Sequence, residues 1–141
     1  MTLPVEPSTE FGQRVERRLA GEQVVWITTV SPSGKPQPSM VWFLREGDDV
    51  LILSRPETPK VRAIAANPNV ALHFNGTMSG DDMIVLNGTA TLERPIDLSG
   101  VPVAYREKYR SGIANIGMTE DEFYAEYSQP IRFRIARIRG F

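Results

Sequence analysis

Between residues 24 and 92 the chain is a succession of short apolar segments separated by turn signals, and this succession limits the fold more than any other feature. Residues 24–30 (VVWITTV) are rich in β-branched side chains and read as a strand. Residues 31–36 form a turn in which Gly34 is free to take positive φ, and residues 38–44 return, making a hairpin of residues 24–44. Pro36 and Pro38 lack the ladder donor, which places them at a sheet edge or near a strand start. Further strands are expected at residues 50–54, 70–75 and 83–92, with Gly88 marking a bulge or a close approach. In residues 129–139, Ile131, Phe133, Ile135 and Ile138 alternate against arginines, with a slip near Ala136. Phe11, Val15 and Leu19 give residues 10–20 an amphipathic helical period, with Thr9 as N-cap and Gly21 as stop. Helices are also expected at residues 59–66, 102–110 and 120–127, the last with Thr119 and Glu122 in capping-box spacing. Six strands joined by short turns, with helices inserted late, predict a mainly β (α+β) chain forming a small antiparallel barrel with peripheral helices.

Composition removes most unaided chemistry. A chain of 141 residues is expected to form one domain. There is no cysteine, which excludes disulfides, thiolate catalysis and Cys-ligated metals. The single histidine, His73, excludes a multi-His metal site within one chain. It stands in an alternating stretch (VALHF) that reads as a half-buried strand position, and no Gly-x-Ser-x-Gly elbow accompanies it. Asp81, Asp82 and the 120–122 acids lack metal-ligand spacing and read as loop and cap residues. A net charge of −1 argues against non-specific nucleic-acid binding. No apolar run approaches the roughly 18 residues of a membrane span, and residues 1–10 carry no signal pattern, so a cytoplasmic protein is expected.

One junction stands out. The apolar strand 51–54 ends in a polar turn and opens a helix, with Arg55, Lys60 and Arg62 crowded there and hydroxyls from Ser54 and Thr58 beside them. Cations are unfavourable at a helix N-terminus, which is itself a natural phosphate site, so their presence points to an anion. The alternative is solvated surface charge paired with Glu57. Ser39, Met40, Val41 and Trp42 alternate faces on the neighbouring strand; they suit the edge and face of a planar cofactor, or else Met40 and Trp42 belong to the core. Arg132, Arg134, Arg137 and Arg139 stud the last strand, where like charges need a ligand or acidic neighbours.

The segments WITTV (26–30), GKPQP (34–38), LSR (53–55), KVR (60–62) and NPNV (67–70), in this order, together resemble the flavin/deazaflavin oxidoreductases of the split β-barrel fold, related to pyridoxamine 5′-phosphate oxidase. The resemblance covers residues 10–95, with 130–140 also fitting. It implies a six-stranded antiparallel split barrel of the FMN-binding type, acting as a homodimer with two cofactor sites at the interface. The cofactor phosphate would lie by Lys60 with Arg55 and Thr58, and Arg62 close by; the ring would lie over Ser39, Met40, Val41 and Trp42 and the Leu53–Ser54 strand end; Arg137 of the partner subunit would complete the site. The short chain and its RIRGF terminus resemble the branch that uses coenzyme F-420, whose polyanionic tail would account for the surplus of arginines; FMN is the alternative cofactor. The activity implied is transfer of a hydride from the reduced deazaflavin to an activated double bond of a small organic substrate. No side-chain acid is assigned; the proton would come from water or from Tyr105, Tyr109 or Tyr124. The 76–82 loop and the 97–128 insertion are expected to border the substrate pocket. FMN-dependent oxidoreduction, or a binding and carrier role without turnover, are the other readings.

Overall fold

A computed structural model describes residues 3–141. Strands β1 (Val24–Val30) and β2 (Pro36–Trp42) form the expected hairpin, paired from Val24↔Trp42 to Val30↔Pro36 around a turn in which Gly34 takes φ +86°. The return segment is not one strand. It breaks at Phe43 and resumes as β3 (Leu44–Glu46), so the sheet has seven strands where six were expected. With β4 (Asp49–Ser54), β5 (Asn69–His73), β6 (Ile84–Leu92) and β7 (Gln129–Gly140), the order is β2-β1-β5-β6-β7-β4-β3, antiparallel throughout. Only Phe43 separates β2 from β3, yet these strands stand at opposite ends of the order. The sheet must therefore curl until its two edges nearly meet, giving a half-barrel. Pro36 and Pro38 lie on edge strand β2, where the missing donors face no ladder.

The slip anticipated near Ala136 is a β-bulge. Asn87 pairs with Arg137 but Gly88 pairs with Ile135, leaving Ala136 as the extra residue. Ile131, Phe133 and Ile135 point inward before the bulge and Ile138 packs inward after it, while all four arginines face outward. Gly88 opposite is required by close approach, since a Cβ there would lie 1.9 Å from the Arg134 carbonyl oxygen.

Helix α1 (Glu10–Gly21) is capped by Thr9, whose hydroxyl accepts from Gly12 N–H at 2.9 Å. It lays Val15 and Leu19 on the barrel interior with Val25, Ile27, Ile52, Leu72, Leu86 and Phe133. Arg14 and Arg18 of α1 hold Asp82 at 2.6 and 2.7 Å. The 76–82 loop is thus tied to α1 rather than to a substrate pocket. Helix α2 (Pro59–Ala66) matches expectation, with Pro59 in its first turn and Thr58 as cap.

A second core lies outside the barrel. Helix α3 (Val103–Asn115) presents Tyr105, Tyr109 and Ile113 at four-residue spacing, and α4 (Glu120–Glu126), opened by the Thr119–Glu122 capping box, adds Phe123 and Tyr124. Both helices pack on Leu51 and Leu53 of β4, whose alternate residues Val50 and Ile52 belong to the barrel core. Burial on both faces explains why β4 is continuously apolar. Helix α3 outruns its expected end at residue 110 because Gly112 lies flat against Trp42, 3.2 Å from an added Cβ, and Ile113 is buried. No helix among the described residues is long and apolar enough to cross a membrane.

The two cores are joined at Phe43. Its N–H donates to the Tyr109 oxygen at 2.7 Å, and the Tyr109 proton lies within reach of the carbonyl oxygens of Gln23 (2.6 Å) and Phe43 (2.8 Å). Tyr109→Phe is expected to lower stability by about 2 kcal/mol, read from urea unfolding, because it strands buried backbone groups; an unchanged midpoint would refute the clamp.

Candidate functional site

The end of β4, the start of α2 and the helical insertion enclose a cavity of about 350 Å³. Its lining includes Met40, Val41, Trp42, Leu53, Ser54 and Lys60, six of the residues expected to meet a cofactor. Val24, Tyr105, Ile116, Phe123 and Tyr127 complete it. The insertion therefore borders the cavity as expected, although of its lining residues only Tyr105 is among those named from the sequence. The available signal was composition, since all four tyrosines of the chain fall between residues 105 and 127.

Lys60 is the cation of the cavity. It makes no ion pair or side-chain hydrogen bond among the described residues, and burial lowers its pKa from the ordinary lysine value. The alternative, an ion pair with Glu57, is not made. Local backbone chemistry also leaves a donor there. Pro59 has no N–H, Val61 N–H donates to Thr58 Oγ1 at 3.4 Å, and Arg62 N–H donates to Thr58 O at 3.0 Å. Within this turn the Lys60 N–H is left for a ligand. Thr58 thus serves as cap, and Ser54 Oγ donates to the Arg55 carbonyl at 2.8 Å while lying 3.4 Å from Thr58 Oγ1.

The other cations expected at this junction are engaged. Arg55 binds Glu126 at 2.9 Å and lies over the Tyr127 ring, 5.2 Å from its centroid. Arg62 donates to the Glu57 carbonyl, which the left-handed Glu57 (φ 63°) turns toward it. Arg132 is bound by Glu93 at 2.9 Å and Glu46 at 3.1 Å, and Arg134 by Asp49. Eight of the thirteen arginines thus have an acidic partner and do not require a polyanionic ligand, whereas Arg17, Arg62, Arg94, Arg137 and Arg139 make no ion pair among the described residues. Neither Arg137 nor Ser39 lines the cavity, and Arg137 sits opposite Asn87 on the outer face of the sheet.

Trp42 contributes to a wall rather than a free stacking face. Its ring stacks on Tyr109 (4.5 Å between centroids, 5° between planes) and on Phe123 (5.3 Å, 24°), and Phe123 stacks in turn on Tyr127 (4.3 Å, 11°). Met40 remains 48% exposed at the cavity and is not a core residue. His73 lies elsewhere, stacked on Trp26 at 6.0 Å. No metal-binding cluster of His, Asp and Glu occurs among the described residues. The cavity thus offers an unpaired ammonium and a free N–H at one end and aromatic and aliphatic walls elsewhere. That donor set fits a planar ring bearing a phosphate.

Lys60 carries a testable signature. In an NMR titration its Nζ should deprotonate at lower pH than an ordinary lysine, and inorganic phosphate should raise its pKa by favouring the charged form. A Lys60 pKa unmoved by phosphate would contradict an anion site.

A family model described as pyridoxamine 5′-phosphate oxidase matches residues 11–140. No curated protein gives a significant match. Among solved structures, an F420 reductase is 22% identical with a TM-score of 0.68, covering 88% of this chain and 94% of that one. A conserved hypothetical protein of Mycobacterium tuberculosis is 17% identical with a TM-score of 0.71, covering 93% and 82%. The heme storage protein HutZ of Vibrio cholerae is 11% identical with a TM-score of 0.65, covering 94% and 95%. The likenesses confirm the split-barrel fold, and with the family match over nearly its whole length the chain belongs to the pyridoxamine 5′-phosphate oxidase family.

Proposed function

We propose that this protein binds coenzyme F-420 and passes a hydride from its reduced form to an activated double bond of a small organic substrate. The observation that carries the reading is Lys60, a partly buried ammonium without a counter-ion at a helix start, opening onto an aromatic-walled cavity. When bound, the deazaflavin supplies the redox chemistry, as cofactors do in proteins poor in reactive side chains. Lys60 Nζ and the Lys60 N–H hold the phosphate. Trp42, Phe123 and Tyr127 exclude water and fix the ring, stiffened by their mutual stacking. Tyr109 is not a proton donor in this scheme, because its hydroxyl is committed to Phe43 and Gln23.

FMN offers the same phosphate and a similar ring and is the second reading. A haem held by an imidazole is disfavoured, because the sole histidine is stacked on Trp26 outside the cavity. A carrier without turnover differs from an enzyme only by acceptor-dependent oxidation of the reduced cofactor. A homodimer also belongs to this reading. The outer face of β1, β5, β6 and β7 carries a shallow groove lined by small or neutral side chains, among them Thr28, Val30, Ala71, Asn87 and Ala136, without a charge. In this reading Arg137, next to Ala136 on β7, is the residue that reaches the neighbouring copy.

Parallel titration of the apoprotein with F-420 and FMN, followed by tryptophan fluorescence, should show tighter binding of F-420. Lys60→Ala should weaken it at least tenfold through loss of a charge-assisted contact. Preference for FMN would move the protein to the flavin branch, and an unaltered affinity in Lys60→Ala would overturn the phosphate assignment. Light scattering should return twice the mass of the 15.8 kDa chain; a monomer binding cofactor fully would refute the interface site.

A further inference from the structure

The four tyrosines have separate positions. Tyr109 is committed to Phe43, and Tyr127 lies beneath Arg55. Tyr105 and Tyr124 both bury a hydroxyl that makes no hydrogen bond of regular geometry among the described residues. Although the Leu53 backbone N–H faces Tyr105 Oη, the phenol proton has no acceptor. A buried polar group without a partner costs free energy and calls for an explanation. Of the two, only Tyr105 lines the cavity. Among the described residues it is also the only lining residue with an orphaned buried side-chain atom. Tyr105 is 0% exposed, on the buried stripe of α3, with its ring held against those of Tyr109 (4.9 Å) and Tyr124 (6.3 Å). Desolvation raises its pKa well above the ordinary tyrosine value, with the neighbouring tyrosines adding to the effect. The phenol therefore stays protonated at any physiological pH and can act as a donor but not as a base.

The geometry points to Tyr105 as the polar anchor of the cavity, donating a hydrogen bond from Oη to an uncharged acceptor, of the ring-carbonyl class, on the cofactor whose phosphate Lys60 holds. This rests on the cofactor reading above and assigns the ring end of the same ligand. Lys60 selects for the phosphate, and Tyr105 selects among rings. A ring presenting an N–H or an alkyl group toward Tyr105 would leave the hydroxyl orphaned and bind less well.

The test compares Tyr105→Phe with Tyr124→Phe, using oxidised F-420 and FMN as probes. Without ligand, Tyr105→Phe should melt no lower than the wild type, because an unpartnered hydroxyl is lost. Its affinity for the preferred cofactor should fall about tenfold, and the visible absorption of the bound chromophore should shift. Tyr124→Phe, equally orphaned but outside the cavity, should bind within twofold of the wild type. In the wild-type protein itself, the ring 13Cζ signal of Tyr105 should move on cofactor addition while that of Tyr124 stays, a readout independent of whether either variant folds. Unchanged affinity and spectrum in Tyr105→Phe, or a static Tyr105 signal with cofactor bound, overturns the anchor and leaves the cofactor reading standing. A wild-type protein that binds neither F-420 nor FMN overturns both.

Discussion

The structure turns on how the backbone of Phe43 is satisfied. This residue lies between two ladders, fully buried, where an unanswered N–H and C=O would be costly. Tyr109, from a helix 66 residues further along the chain, takes the N–H, and Lys108 donates to the carbonyl at 2.8 Å with its ammonium 3.8 Å from the Phe43 ring centroid. That environment is dry enough to bring the Lys108 pKa down to about 8, burial outweighing the nearby Glu22. The contact seats α3 on the barrel. With Tyr109 fixed, Trp42 next to Phe43 has a ring to stack on; Phe123 stacks on Trp42 and Tyr127 on Phe123. The aromatic wall of the cavity is the far end of a column that begins at a break in an edge strand.

Charge in this protein is mostly local. Asp82 gathers Arg14 and Arg18, Glu120 gathers Arg106 and Arg110, and Asp49, Glu46 and Glu93 surround Arg132 and Arg134. These pairs are partly exposed and contribute little each to stability. Their larger effect is to leave the cavity with one cation whose counter-charge is missing. An anion arriving at Lys60 therefore meets an ammonium already stripped of part of its water, in competition with no carboxylate.

Much of this was legible in the chain. The 24–42 hairpin, α2 with its proline start, the Gly88–Ala136 irregularity and the capping box at Thr119 all follow from local rules of period, turn and cap. Those rules report which face of an element turns inward. They do not report which distant element meets it. Hence Trp42 could be placed on a strand but not in a stack with Tyr109, and residues 38–44 read as one strand because nothing nearby shows that Phe43 will bond to a helix. The same limit explains the arginines. Their crowding at residues 55–62 and 132–139 was visible, but Glu126, Glu46 and Glu93, which neutralise three-dimensional neighbours, lie far away in sequence. Lys60 could be singled out from the sequence because helix-start chemistry is local.

The bulge at Ala136 sets the reading frame of the last strand. A strand alternates its faces with a period of two, so one extra residue exchanges inside and outside for everything beyond it. Upstream, odd-numbered residues face the core; downstream, Ile138 does so and Arg137 and Arg139 are released to the surface. Had Ala136 taken a regular place in the ladder instead of bulging from it, the two guanidiniums would have been turned into the barrel and the isoleucine out of it. The bulge thereby absorbs a change of frame at a residue with a single methyl for a side chain, and the charge of the outer surface depends on Ala136 staying outside the alternation.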